Sequence, residues 1–259
     1  MGQVSAVFAL AHRDLLKFLR DRARLVATFI FPFIFIGFLG GTLSASFGGP
    51  LGYDFIAFTF TGVLGQTVFQ SAALGLVSLL EDRENDFSQE IFVSPISRYT
   101  IIFGKILGET LVALPQGIGI LLFGFLLGVP YTPASLLALL LSSLVVALFA
   151  GSFGVIILAN LRSQRAANQI FPFIFLPQFF TAGVFTPLQN LPWYLDLISR
   201  LSPMRYAVDF QRGLFYAGRP EYDKVVLASP LVNLAIMGGL FVIFMVAGTA
   251  LFVRAERNR

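Results

Sequence analysis

Five carboxylates raise the first question of chemistry. Glu81, Asp82, Glu84, Asp86 and Glu90 fall within ten residues of a chain that is otherwise 56% apolar and only 12% charged. A second pair, Lys105 and Glu109, stands one helical turn apart inside an apolar stretch. That spacing lets opposite charges pair and lowers the cost of placing either in lipid. Hydrolytic or metal chemistry needs more than this: a histidine base, a metal cluster or a pair of intramembrane aspartates. His12 is the one histidine, so HExxH zinc ligation is excluded, and neither a GxSxG elbow nor a GxxxxGK[ST] phosphate loop occurs. The chain has no cysteine, which removes thiolate nucleophiles and Cys-based metal sites. Asp54 has no second aspartate with which to form a dyad. The residues therefore predict no catalytic centre and no metal site, and any ATP that drives this protein must be bound by another chain.

The elements that position these charges follow from hydropathy. Thirty of the 259 residues are phenylalanine, so the solvent for most of the chain is lipid. About 20 mostly apolar residues cross ~30 Å of hydrocarbon as a helix, and backbone groups in lipid must be satisfied within the segment. Six spans are predicted, at residues 25–43, 55–80, 100–127, 134–160, 168–185 and 225–253. The fold class is thus an all-α membrane protein, read as a single transmembrane domain. Val4, Val7, Phe8, Ala11, Leu15, Phe18 and Leu19 recur at roughly helical spacing, with basic residues between them. Residues 1–23 therefore read as an amphipathic helix in the inner interface, and its interrupting charges argue against a cleavable leader.

Thirteen of the eighteen Lys and Arg residues flank one set of span ends, and the first two opposite loops, "SASFGGPLGYD" and "GVPYTP", carry none. Basic residues mark the cytoplasmic side. Both termini and the acidic segment are therefore expected in the cytoplasm, with the spans in the inner (plasma) membrane. The net charge of +4 reports this orientation and no nucleic-acid surface. Between the fifth and sixth spans, residues 188–218 are too apolar for a solvated linker, and Pro192 and Pro203 bracket a short helix followed by a second, so re-entrant or capping helices are expected there.

The acidic segment reads as a surface helix over residues 84–94. Phe87, Ile91 and Phe92 form one apolar edge, Glu84, Asp86 and Glu90 make much of the rest acidic, and Pro95 ends it before Arg98 starts the third span. Anionic inner-leaflet lipid repels such a helix, which favours a groove on a soluble partner. The stretch "DFSQEIFVSPISRYTIIFGKILG" resembles the hinge of the type-2 ABC exporter permeases, in particular the drug-export branch similar to daunorubicin permeases. The stretch "FPFIFLPQFFTAGVFTPLQNLPWYLDLISRLSPMRYAVDFQRGLF" is similar to that family's fifth span and the P-x-x-Y-x-[VI]-D-x-x-R segment after it. The sequence departs from the family at Asp86, where glycine is usual, and at Thr181-Ala182-Gly183.

The resemblance implies a permease that works as a homodimer with a separate ABC-type ATPase subunit, which binds ATP and Mg while this chain carries no cofactor. Residues 84–94 would be the coupling helix, with Glu84, Asp86, Phe87, Glu90, Ile91, Pro95 and Arg98 meeting the ATPase. It also implies a cavity between the two halves, lined by the second and fifth spans, for which Phe60, Phe69, Phe173, Phe180 and Phe185 are the aromatic candidates. The expected cargo is a lipophilic drug-like amphiphile or a lipid. Two other readings stay open: export of a polysaccharide or glycolipid, and an ion-coupled secondary transporter, for which Glu109 and Pro115 are the suggestive pair.

Overall fold

A computed structural model describes residues 3–42, 52–84, 98–161 and 163–257. Among the described residues the chain is helical, with no strand. Helix α1 (Gln3–Arg20) is followed by α2 (Arg22–Phe33), which contains Pro32 and widens into a π-helical stretch, Ile34–Gly40. Residues 22–42 are thus helical without a break, over the described part of the first span expected at 25–43.

Helix α3 (Phe55–Gly75) begins where the Asp54 carboxylate accepts from the backbone N–H groups of Ile56 and Ala57, satisfying two of its orphan donors. It is apolar nearly all round, as a helix enclosed by neighbours must be. Those neighbours are α5 (Arg98–Leu126), α6 (Pro133–Leu158), the π-helical stretch and α9 (Pro203–Phe215). A turn at Leu76 and Val77 separates α3 from α4 (Ser78–Glu84) within the second apolar run, expected over 55–80, which as Phe55–Asp82 is long and apolar enough to cross a membrane. Helix α6 starts with a reciprocal cap between Thr132 and Ser135, with Pro133 at its first position.

Helix α7 (Gln164–Thr181) is capped by Ser163, whose hydroxyl accepts from the Ala166 N–H. Its buried residues, Ala167, Phe171, Phe175 and Gln178, lie on one side only. The two short helices expected after it are present: α8 (Trp193–Leu201) and α9. The second does not merely cap the bundle, since Met204, Ala207, Val208 and Gln211 are fully buried against α3 and α6. A single turn, α10 (Tyr222–Val225), leads into α11 (Pro230–Arg257), which packs on α6 and α9.

Among the described residues, four segments are long and apolar enough to cross a membrane: Phe55–Asp82, Tyr99–Leu126, Pro133–Leu158 and Tyr222–Phe252. Thr28–Gly40 is a shorter apolar helix. Gln164, Arg165, Asn168, Gln169 and Gln178 keep α7 below that hydropathy.

Helix α1 is seated on the beginning of α5. Gly104 and Gly108, four residues apart, make the seat: a Cβ at Gly104 would stand 3.4 Å from the Val7 Cα, and one at Gly108 3.2 Å from the Ala11 Cα. Small residues at this spacing let two helix backbones approach closely.

On the opposite side, α8 exposes Trp193, Leu197 and Leu201. Its Asp196 accepts from Arg205 Nη1 at 3.0 Å and Arg200 Nε at 2.8 Å. These bonds, the one to Arg205 foremost, hold the Asp196 carboxyl below the usual carboxylate range. Since the folded pKa is the lower one, the tie stabilises the fold above the ordinary carboxylate value of about 4 and is lost as pH falls through the lowered value. The emission of Trp193, the single tryptophan, is expected to hold constant from neutral pH down to about 4 and to change below it. Asp196→Asn should abolish that acid transition.

Candidate functional site

Two features at the end of the bundle where α1, α4 and the start of α5 meet, and one lateral face, are the places where this bundle could do work. The first is an ionic knot that joins three helices. Lys105 on α5 is 1% exposed, and its Nζ lies 2.7 Å from Asp82 Oδ2 on α4 and 3.1 Å from Asp14 Oδ2 on α1. Ser78 Oγ, at 3.2 Å, completes its shell. Arg13 Nη2 reaches Asp82 Oδ2 at 2.7 Å and Asp14 Oδ1 at 3.0 Å, and Lys17 stands 3.9 Å from Asp82 Oδ1. Burial works against the charge on Arg13, but the bonds and proximity of Asp82 and Asp14 outweigh it and raise its pKa above the ordinary guanidinium value.

The expected pairing of Lys105 with Glu109 is therefore corrected: the ion pairs of Lys105 run to Asp82 and Asp14. The two side chains leave α5 toward different neighbours. Lys105 turns to α1 and α4, while the buried Glu109 carboxylate lies against Gly75 at the end of α3, where a Cβ would have no room.

The second feature is the hinge. Asp86, Phe87, Glu90, Ile91 and Pro95, with most of the expected coupling helix over 84–94, lie outside the described residues. Arg98 opens α5. Glu84, the last residue of α4, is exposed, and its Oε1 accepts from the backbone N–H of Gln164 at 2.8 Å. The hinge carboxylate thus lies on the first residue of α7, a favourable place for negative charge because helix N-termini carry partial positive charge.

The third feature is an open face between α2 with its π-helical stretch and α7. Its apolar part, about 320 Å³, is lined by Phe31, Phe35, Leu176, Phe179, Phe180 and Phe185. An adjoining hollow of about 540 Å³ adds Phe173, Pro172 and Asn168. A third of about 430 Å³ has a polar floor of Thr28, Thr67, Gln70, Ser71 and Gln116. Phe179 borders all three, so they form one continuous surface.

Of the five aromatic candidates, Phe173 and Phe180 are 80% and 70% exposed and lie on this face with Phe185. Phe60 and Phe69 are elsewhere, both at 0% exposure. Phe60 meets Tyr131 and Phe215, and Phe69 meets Phe149, Phe153 and Phe175. They fill the bundle because α3 is surrounded by other helices and has little free flank to present to a cavity.

Sequence reasoning quoted the Asp209-x-x-Arg212 pattern without giving it work to do. In the fold, the buried Arg212 guanidinium donates to the Gly183 carbonyl at 2.8 Å, to the Phe58 carbonyl at 3.3 Å and to Thr61 Oγ1 at 3.3 Å, and it stacks 3.8 Å above the Phe58 ring. Asp209 accepts from the N–H groups of Leu227 and Ala228 and from Asn233 Nδ2. Together they fasten α9 to α3, to the turn after α7 and to the start of α11. Two opposite charges one turn apart, Asp209 and Arg212, were the available signal.

Comparison with known proteins bears on what these features serve. Residues 5–216 match the model of the ABC-2 type transporter family. The protein described as transport permease ycf38 from Cyanophora paradoxa is 24% identical over 216 residues, covering 82% of this chain and 74% of that one. Its counterpart from Porphyra purpurea is 29% identical, with the same coverage of each. The multidrug ABC transporter permease YbhR of Escherichia coli K12 is 27% identical over 142 residues, 54% of this chain and 38% of the other.

The chain belongs to the ABC-2 type transporter family. It is a membrane transporter permease subunit rather than an enzyme, of a family that normally pairs with an ATPase subunit.

Proposed function

We propose that this chain is the permease of an ATP-driven exporter, moving a lipophilic or drug-like amphiphile, or a lipid, out of the cytoplasm. The observation that carries the reading is the open aromatic face between α2 and α7, with a polar floor beside it and a bond from the hinge at the inner end of α7. Exposed Phe173 and Phe180 and half-buried Phe185 offer ring faces to an apolar or aromatic cargo. Gln70, Ser71 and Gln116 offer hydrogen bonds to its polar end. A second copy facing this surface would close it into a cavity, so the working unit is a homodimer with two ABC-type ATPase subunits. ATP and Mg belong to those subunits, and this chain holds no cofactor.

In this reading α2 with its π-helical stretch and α7 are the first and fifth of six spans. The termini and the hinge face the cytoplasm, and the protein lies in the inner membrane. Residues 84–94 act as the coupling helix on the ATPase. Export of a polysaccharide or glycolipid is the alternative that keeps the same machinery. Ion-coupled transport is the other, and it would run through the buried Glu109.

The test is export of ethidium, a flat aromatic amphiphile, by the complex of this chain with its copurifying ATPase, reconstituted in liposomes. Export is expected to require ATP hydrolysis, and Phe180→Ala with Phe173→Ala should reduce it several-fold while leaving ATPase activity in place. Transport driven by a proton gradient alone, and abolished by Glu109→Gln, would sink the reading in favour of ion coupling.

A further inference from the structure

A turn at Leu76 and Val77 marks α4 off from α3, and the bonds from the Val77 N–H to the Leu74 carbonyl and from the Leu79 N–H to the Leu76 carbonyl carry the backbone across it. Two of its carboxylates hold it to different partners. Asp82 is bound into the ionic knot with α1 and α5, and Glu84 holds the first residue of α7. The outer end of α7 is pinned as well. Gln178 Oε1 accepts from Ser202 Oγ and the Met204 N–H, both at 3.2 Å, and the Thr181 carbonyl accepts from Ser199 Oγ at 2.6 Å. Between these ends α7 is packed on one side only, and Pro172 and Pro177 each remove a backbone donor from its ladder. A helix fixed at the top, softened in the middle and gripped at the bottom by another element will tilt when that element moves.

We infer that Glu84 is a positioning residue that makes α7 follow the hinge, so that displacement of α4 is delivered to the aromatic face through the Glu84–Gln164 bond. This rests on the permease reading above and adds the route by which the hinge reaches the helix that lines the face. The bond is charge-assisted and sits at a helix N-terminus, and both properties strengthen it.

The bond can be cut from either end. Glu84→Ala removes the acceptor. Gln164→Pro removes the donor without breaking α7, because residue 164 is the first helical position, where proline is favoured. Ser163 before it already has the extended backbone that proline demands, at φ −146° and ψ 152°. Both variants are made in the full chain copurified with its ATPase and reconstituted with ethidium as cargo. Amide exchange at Gln164 is read in Glu84→Ala on the same preparation.

Gln164→Pro is expected to leave ATP hydrolysis within about twofold of wild type, and each single variant to lower ethidium moved per ATP by about tenfold, the lower end of what a hydrogen bond to a charged group is worth. The double variant should be no worse than either single one. The Gln164 amide should exchange at least ~10-fold faster in Glu84→Ala. Loss of coupling in Glu84→Ala with Gln164→Pro unaffected would overturn the inference, since Glu84 would then act on the ATPase rather than through α7. Multiplying losses in the double variant, or unchanged transport and exchange in both single ones, would overturn it as well. A wild type that moves ethidium without ATP would defeat the permease reading and the inference together. Silent variants on an ATP-dependent wild type would defeat the inference alone.

Discussion

Lys105→Met is expected to cost this protein about 3–5 kcal/mol, the range for removing one partner of a buried ion pair. The substitution keeps the bulk and removes the charge, leaving Asp14 and Asp82 facing each other across a closed space with Arg13 and the more distant Lys17 as their remaining cations. Two buried carboxylates that must share one close counter-ion carry a desolvation cost that Lys105 no longer offsets. In detergent, the thermal midpoint should fall by roughly 10 °C for a chain of this length. Neutralising one of the stranded groups, as in Lys105→Met with Asp14→Asn, should recover about half of that loss by removing the uncompensated charge. A Lys105→Met protein as stable as wild type would mean that the knot contributes no more than exposed pairs do, about 0–1 kcal/mol.

Arg212→Lys is expected to cost about 2–3 kcal/mol despite conserving charge. One planar guanidinium reaches two carbonyls and a hydroxyl and stacks on a ring. An ammonium on a flexible stem cannot do all of this at once, so at least one of the Gly183 and Phe58 carbonyls is left without its partner. The predicted consequence is local as well as global. The turn after α7 should exchange its amides faster, and the midpoint should drop by roughly 5 °C. Equal stability of the two proteins would show that the fork geometry is dispensable and that only the charge matters.

Much of the fold is written in local sequence. The long apolar runs gave α3, α5, α6 and α11 because a helix is the one structure that satisfies such a run in lipid. Amphipathic spacing gave α1, and Pro192 and Pro203 placed α8 and α9 because proline suits a helix start. What stayed hidden depends on which helices become neighbours. Asp14 lies 91 positions from Lys105, and no periodicity connects them. The visible partner one turn away, Glu109, was the only one that local spacing could nominate. Phe60 and Phe69 differ from Phe173 and Phe180 in nothing but the helix that carries them, since α3 is enclosed and α7 is open on one flank. The break after Gly75 had no proline to announce it. The seat for α1 did leave a mark, the glycines on either side of "KIL" at 105–107, but it reads as a seat only once another helix rests on it.

That seat also sets a length. Helix α5 has 29 residues, about 44 Å at 1.5 Å per residue, which is more than the ~30 Å thickness of hydrocarbon. In the proposed arrangement, with α1 in the membrane interface and seated across Gly104 and Gly108, the lipid headgroups would stand at that height along the rod, and from Gly108 to Leu126 the rise is only about 27 Å. The protein therefore carries its own depth gauge. In that arrangement the hydrocarbon would be measured from α1 rather than from the start of α5, and Lys105 would sit near the waterline rather than in the oil.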